Sequence, residues 1–334
     1  MRPPISVIEL TDGIETVSVI GLEKNTGKTV VLNRLLREFR KEGVSVGLTS
    51  TGLEGEKIDQ IYLNKKPEIN VSKGTYFATS EKDFHNRRFS ATVLDLRDYR
   101  SPLGRTVFAR AETAGKVIIS GPSILDYLCE TVKTLKSYGC DKVLIDGSTS
   151  RLSPGAPRIS DGIILATGAA LSMNLEELVR KTRFAVKLIS LPGAERELRN
   201  RLLPLEIGVW IDDNGVFERL SSSSLTASYS STDTVGKTIY INGSLTSSVL
   251  LRLAEPGTRV VIRDFSCIFV DEQTLVKYER SGGRLEVVYP ANLIAVTVNP
   301  YSPTGFSVKS RELVEALEKF ISVPVIDVLE ETAN

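Results

Sequence analysis

The chain has 334 residues, with 42 Lys and Arg against 41 Asp and Glu, one His and three Cys. At roughly 100–200 residues per domain this length predicts about two domains with real cores, and a formal net charge of +1 lacks the basic surplus that drives general binding to nucleic acid or anionic membranes. A single histidine, His85, argues against a Ser-His-Asp triad and against multi-histidine zinc sites, so the chemistry is expected to run on phosphate, carboxylates and metal-bound oxygen.

The first clear element is a β-branched run at 16–20 that leads into Gly21-Leu-Glu-Lys-Asn-Thr-Gly27-Lys28-Thr29. Val30, Val31, Leu32, Leu35, Leu36 and Phe39 then recur at helical spacing, with Gly43 placed as a C-terminal cap. Strand, glycine turn and amphipathic helix follow one another, and residues 44–49 read as a second, nearly all-apolar strand of the buried parallel kind. Residues 50–115 carry β-rich pieces broken by charged stretches, which predicts an insertion between the second and third core strands. Residues 116–120 resume the core pattern, and Ser123-x-x-Asp126 predicts a capping box for a helix running to about Tyr138. Strands follow at 142–145 and 162–166, and Asn174-x-x-Glu177 caps the next helix by the same device. Alternating strands and helices predict a three-layer α/β fold, a parallel sheet covered on both faces.

Residues 220–234 are dominated by Ser and Thr, as in a linker or exposed loop. Beyond them, strands are predicted at 237–241, 259–262, 267–270 and 293–298, and helices near 244–254, 272–281 and 309–320. The expected organisation is a nucleotide-binding domain over 1–205 and a smaller α/β domain over 206–334, with no internal repeat visible. Cys129, Cys140 and Cys267 form neither a CxxC pair nor an even disulfide set, which points to a reducing compartment. No apolar run approaches the ~18 residues of a membrane helix, and MRPPISVIEL lacks the charged start and apolar core of a signal peptide. The expected location is the cytoplasm.

A phosphate-binding loop needs converging backbone N–H groups, a lysine to offset the β/γ charge and a hydroxyl to hold Mg²⁺. Gly27 with its neighbours Lys24, Asn25 and Thr26, then Lys28 and Thr29, meet that need at the start of a helix whose positive dipole end adds to the attraction. The usual spacing puts four residues between the first glycine and GK[ST]; here there are five. A second copy, Gly236-Lys237-Thr238, precedes a strand instead of a helix and is expected not to bind phosphate. The predicted strand Val143-Leu-Ile-Asp146 ends in an acid before Gly147, and parallel sheets gather such ends on the edge that holds the loop. Asp146 is therefore the candidate for ordering Mg²⁺ or its water, the alternative being an ordinary N-cap after a strand. Arg151, in the loop beyond, is a candidate to pair with phosphate or a substrate carboxylate, or a surface arginine. Asn299-Pro-Tyr-Ser-Pro-Thr-Gly305-Phe306 reads as a rigid turn or a substrate or partner loop of the second domain.

The G-x5-G-K-T spacing, with GKTVVLNRLL after it, resembles the dethiobiotin synthetase group of P-loop NTPases, within the class that includes MinD-like ATPases. The resemblance covers roughly the first 170 residues. It implies Mg²⁺ contacts for Asp146 and for Asp59, which follows Thr51-Gly52 as an aspartate does in that group. From the MinD-like ATPases it also implies a homodimer in which Lys24 reaches the other copy's phosphates. Gly47-Leu48-Thr49 stands where the synthetases have a lysine, and the C-terminal domain has no counterpart there. At finer grain, GLEKNTGKTVVLN, GTYFAT, ISGPS, DGSTSRLSPGAP and SDGIILATGAALS resemble a family of bacterial anaerobes associated with lysine fermentation and with reactivation of the cobalamin enzyme lysine 5,6-aminomutase.

The expected function is thus Mg-ATP binding, with ATP hydrolysis or phosphoryl transfer to a small metabolite. The alternative is a nucleotide-switched reactivation or assembly factor for an aminomutase. GTP stands as the alternative nucleotide, because no NKxD-type guanine motif is present to decide the base.

Overall fold

Every residue of Thr16–Gly21 is buried, which suits a run of β-branched side chains with a strand on either side. The computed structural model that shows this describes residues 6–51, 68–99, 103–147, 153–221, 234–252, 255–327 and 329. The elements begin with α1 (Val7–Leu10), β1 (Thr16–Gly21), α2 (Lys28–Lys41) and β2 (Val46–Ser50). They continue with β3 (Ile69–Val71), β4 (Tyr76–Ser80), α3 (Glu81–His85), β5 (Ala91–Arg97), β6 (Thr106–Ala111), β7 (Gly115–Val117), α4 (Leu125–Ser137), β8 (Lys142–Asp146), β9 (Gly162–Gly168) and α5 (Leu175–Ile189). Next come α6 (Arg196–Leu202), β10 (Gly208–Asp213), β11 (Val216–Ser221), β12 (Thr238–Asn242), β13 (Leu245–Thr246), α7 (Ser247–Arg252), β14 (Arg259–Ile262), β15 (Ile268–Phe269), α8 (Glu272–Arg280) and β16 (Arg284–Val287). The last are β17 (Leu293–Asn299), α9 (Ser310–Glu318) and β18 (Val325–Asp327).

The chain divides into two units, Met1–Arg183 with Leu293–Asn334, and Phe184–Asn292. The boundary expected at residue 205 is thereby corrected on both sides: the second unit begins within α5, and the chain returns to the first unit at Leu293. The predicted strand at 293–298 is real, but as β17 it pairs in parallel with β9 of the first unit, Val296 opposite Leu165.

The first unit is mixed α/β, built on a nine-stranded sheet in the order β18-β17-β9-β1-β8-β2-β4-β6-β5. Its pairings are parallel from β18 to β4, and β6 and β5 extend it antiparallel. Within the stretch 50–115, expected as a β-rich insertion, β4, β6 and β5 carry the sheet outward from β2. The stretch predicted as the third core strand, 116–120, supplies only the end of β7, which pairs antiparallel with β3 in a separate ladder.

Alternation along the strands assigns the covering helices. Leu144 joins a cluster with Val17, Val19 and the α2 residues Leu32, Leu35 and Phe39, whereas its neighbours Val143 and Ile145 join Leu128, Val132 and Leu135 of α4. Successive strand residues face opposite ways, so α2 and α4 lie on opposite faces of the sheet. Each such side chain, fully buried, contributes ~2 kcal/mol. The capping device at Asn174 forms, its Oδ1 accepting from the Glu177 N–H at 3.0 Å. The one at Ser123 does not: α4 starts from Ile124 with no side-chain cap, and Asp126 instead pairs with Arg158.

The second unit holds a five-stranded sheet, β11-β10-β12-β14-β16. Asn214 and Gly215, both at positive φ (51° and 90°), turn the β10–β11 hairpin, a two-residue signal of the kind such turns demand. From β12 onward the chain repeats one pattern, strand, short strand, helix, through β12-β13-α7 and β14-β15-α8. The long strands are parallel, Thr238 opposite Arg259 and Arg259 opposite Arg284, and the short ones pair with each other. The repeat escapes sequence inspection because two-residue strands carry no periodicity. Among the described residues no helix is long and apolar enough to cross a membrane.

Gly121 brings the chain after β7 against the end of β2; a Cβ built on it would stand 1.6 Å from the Ser50 carbonyl oxygen. Gly121→Ala should force the two segments apart and cost about 2 kcal/mol, read as a lower denaturant midpoint with the slope unchanged.

Candidate functional site

The carboxyl ends of β1, β2, β8 and β9 share one edge of the first sheet, because these strands are parallel. At that edge β1 passes into α2 through a loop with two residues in the left-handed region, Asn25 (φ 63°) and Gly27 (φ 93°). Asparagine and glycine are the residues that tolerate this backbone at least cost. Gly27 is the N-cap of α2 and no side chain caps the helix, so the first-turn N–H groups, which have no intrahelical acceptors, face the loop.

Close packing holds the loop's shape. A Cβ on Gly21 would stand 2.7 Å from Thr26 Oγ1 and 3.0 Å from Lys28 Cδ, so only glycine lets Thr26 and the Lys28 side chain lie against the end of β1. Thr26 is fully buried and its hydroxyl donates to the Glu23 carbonyl at 2.9 Å. The Leu22 N–H donates to Ala166 of β9 at 3.1 Å, and the Lys24 N–H donates to Glu23 Oε1 at 2.9 Å. Lys28 and Thr29 are the first two residues of α2, both part-exposed.

Asp146 ends β8 in register with Val19 of β1 and Ser50 of β2, and is 7% exposed. Its backbone is fixed at the edge, its carbonyl accepting from the Thr51 N–H at 3.1 Å and from Ser50 Oγ at 3.0 Å. Gly147 follows with its N–H on the Val19 carbonyl at 2.9 Å. The Thr51 hydroxyl, buried next to this strand end, has no hydrogen-bond partner among the described residues. Asp59 and Arg151 lie outside the described residues, as do residues 148–150. The structure thus brings Lys24, Asn25, Thr26, Gly27, Lys28, Thr29 and Asp146 to one sheet edge.

One residue of the edge was expected elsewhere. Asn299 ends β17, and its Nδ2 donates to the Asn25 carbonyl at 2.9 Å, while its own carbonyl accepts from the Ala169 N–H at 2.9 Å. The loop after it doubles back, Ser302 N–H to Phe306 O at 2.8 Å and Val308 N–H to Pro300 O at 2.9 Å, so the polar loop predicted for the second domain belongs beside the first glycine turn. The sequence marks Asn299 only as the polar end of an apolar strand, and nothing local says which sheet that strand joins.

The second Gly-Lys-Thr behaves as its context predicts. Lys237 pairs with Asp213 at 3.3 Å and Thr238 opens β12, with no helix start to face an anion. His85 is exposed. Burial pushes the Cys140 thiol up to about 12 and raises that of Cys267, which keeps both protonated and poor as nucleophiles. Among the described residues no group of three or more His, Cys, Asp or Glu is placed to hold a metal ion.

No family model matches this chain, and no curated protein matches it either.

Asn299→Ala removes the side-chain bond to Asn25. Residues 22–27 should then exchange their amide hydrogens faster in deuterium oxide, by about fivefold for the loss of roughly 1 kcal/mol, while β1 and β8 keep their protection.

Proposed function

We propose that the first unit is a P-loop nucleotide-binding unit that takes Mg-ATP and either hydrolyses it or passes its γ-phosphoryl group to a small metabolite. The observation that carries this reading is the buried strand turning through left-handed Asn25 and Gly27 into an uncapped helix that opens Lys28-Thr29, beside a strand that ends in Asp146. The Thr51 hydroxyl, without a partner among the described residues, adds a polar oxygen at the same edge. These residues fit a phosphate with its cation. A nucleotide's Mg²⁺ takes one or two protein oxygens and draws the rest from phosphate and water, so the lack of a three-residue cluster is no obstacle.

In this reading Gly27 and its neighbours Lys24, Asn25 and Thr26 direct backbone N–H groups at phosphate oxygens, and Lys28 swings from Gly21 to the β/γ-phosphates. Thr29 and Asp146 hold Mg²⁺ or its water, with Asp59 and Arg151 as further candidates from the sequence. Bound Mg²⁺ would neutralise charge on the β- and γ-oxygens. The protein's share is positioning and electrostatics, which needs no histidine. The ends of β9 and β17, at Thr167, Gly168 and Asn299, are the proposed neighbours of the base.

A second reading, a nucleotide-switched reactivation or assembly factor for a cobalamin-dependent aminomutase, is favoured by the separate second unit, whose own Gly-Lys-Thr is tied up in a strand and an ion pair. Turnover stimulated by the aminomutase, instead of by a small carboxylate or amine, would mark that role.

Titration calorimetry with Mg-ATP and Mg-GTP decides the core of the proposal. Wild type should bind one of them, Lys28→Ala should weaken binding at least about thirtyfold, the equivalent of ~2 kcal/mol for a lost charged hydrogen bond, and Asp146→Asn should reduce the Mg²⁺ dependence. Wild type that binds neither nucleotide would refute the reading.

A further inference from the structure

The far end of the nine-stranded sheet is uncovered among the described residues. β6 is buried on both faces along Thr106–Ala109, yet β5, paired to it, is not: Val93 is 46%, Leu94 39% and Leu96 43% exposed. β5 ends the strand order, so its outer side has no neighbour among the described strands. Open edges of this kind are guarded by proline, lysine, other charges, bulges or very short length. Thr-Val-Leu-Asp-Leu-Arg has no proline or lysine; its guards are one bulge and two charges of opposite sign, Asp95 and Arg97.

The pairing to β6 assigns the faces. Leu94 is the extra residue of a bulge, and beyond it Asp95, Leu96 and Arg97 run in regular register opposite Phe108, Val107 and Thr106. Residues opposite each other share a face, so Leu96 lies on the side of Val107, within the α2 core. Asp95 and Arg97 share the other side and pair with each other at 2.8 Å, the Arg97 side chain exposed and that of Asp95 half-buried. The Leu96 N–H donates to Asp95 Oδ1 at 2.7 Å; a side chain, not a strand, satisfies it.

We propose that β5 is a dimerisation edge, at which a second copy of this chain adds its own β5 antiparallel across a two-fold axis at Leu96. Such an axis, perpendicular to the sheet, sets a residue against itself and its neighbours against each other's counterparts. At Leu96 it sets leucine against leucine on one face. On the other it sets Asp95 against Arg97 of the second copy, twice, closing a four-charge ring. The Leu96 N–H then exchanges the Asp95 carboxylate for a backbone carbonyl. No other axis in the strand matches: at Asp95 it opposes two carboxylates, and at Leu94 it opposes Asp95 to Val93. An unrelated strand would leave both charges unmatched, which is why the occupant is a second copy. This interface needs no nucleotide and is distinct from the Lys24-bridged dimer.

Sedimentation equilibrium of the full chain, without nucleotide and over a range of concentrations, tests the proposal. Wild type should reach the mass of two chains, and D95R and R97D should each weaken self-association at least tenfold. An equimolar mixture of D95R and R97D should regain the dimer, because two positive positions then face two negative ones. Arg97 is exposed and Asp95 lies half-buried at the sheet's edge, outside the core, so unfolding midpoints should stay close to wild type. Should either variant lose that midpoint, Leu96→Glu carries the test by setting two carboxylates together at the axis, and it must abolish the dimer. A wild type that stays monomeric, a dimer indifferent to these substitutions, or variants that do not recover on mixing would overturn the proposal.

Discussion

The structure of the first unit turns on the burial of β1 between two parallel neighbours. With β8 on one side and β9 on the other, and helices of opposite faces packed above and below, the strand has no route to solvent along its length. Even its polar residue is accounted for: the Ser18 hydroxyl donates to the Pro154 carbonyl at 2.7 Å and its N–H meets Ser160 Oγ at 3.1 Å. A strand so enclosed can present chemistry only where it ends. Parallel pairing then puts the ends of its neighbours at the same edge, and the tight packing at Gly21 fixes how the chain leaves. The glycine turn and the acid of β8 are brought together by that arrangement, and the asparagine of β17 adds a direct hydrogen bond to the turn.

Much of this was legible because it is local. The 3.6-residue spacing of Val31, Leu32, Leu35 and Phe39 and the glycine at position 43 identify α2 within a residue or two, and the apolar runs that became β8 and β9 are equally plain. Context also separates the two Gly-Lys-Thr copies, since one is followed by helical and the other by strand periodicity. What failed is what depends on distant partners. An apolar strand such as 293–298 looks the same whichever sheet it enters, so its return to β9 could not be read, and neither could the extension of the sheet through β4, β6 and β5. Ser123-x-x-Asp126 has the composition of a capping box, but Asp126 is taken by Arg158 and the helix opens from Ile124. Asn214-Gly215 was a readable hairpin signal. The loop at 148–152 and Asp59 fall outside the described residues.

The chemical inventory of the site edge suits the composition of the chain. It offers backbone amides, hydroxyls, Lys24 and Lys28, and the Asp146 carboxylate, groups that handle anions and hard cations without a titrating imidazole. Burial holds the Cys140 and Cys267 thiols protonated, and the histidine sits in the open. The second unit is built by a different economy, short repeating turns of strand and helix in which Tyr278 donates its hydroxyl to the Thr258 carbonyl at 2.8 Å and Arg259 pairs with Glu286 at 2.6 Å.

The return of the chain at Leu293 has a consequence in time. During synthesis β1, the glycine turn and β8 leave the ribosome early, but β17 and the asparagine that grips the turn are added only after the whole of Phe184–Asn292 has emerged. Until then β9 is a raw edge of a growing parallel sheet, the kind of surface on which partly made chains stick together. The second unit, contiguous in sequence, can close while the first still waits for its last two strands. The half of the molecule that begins first is the half that finishes last, and a nascent chain would acquire its firmly held glycine turn only near the end of translation.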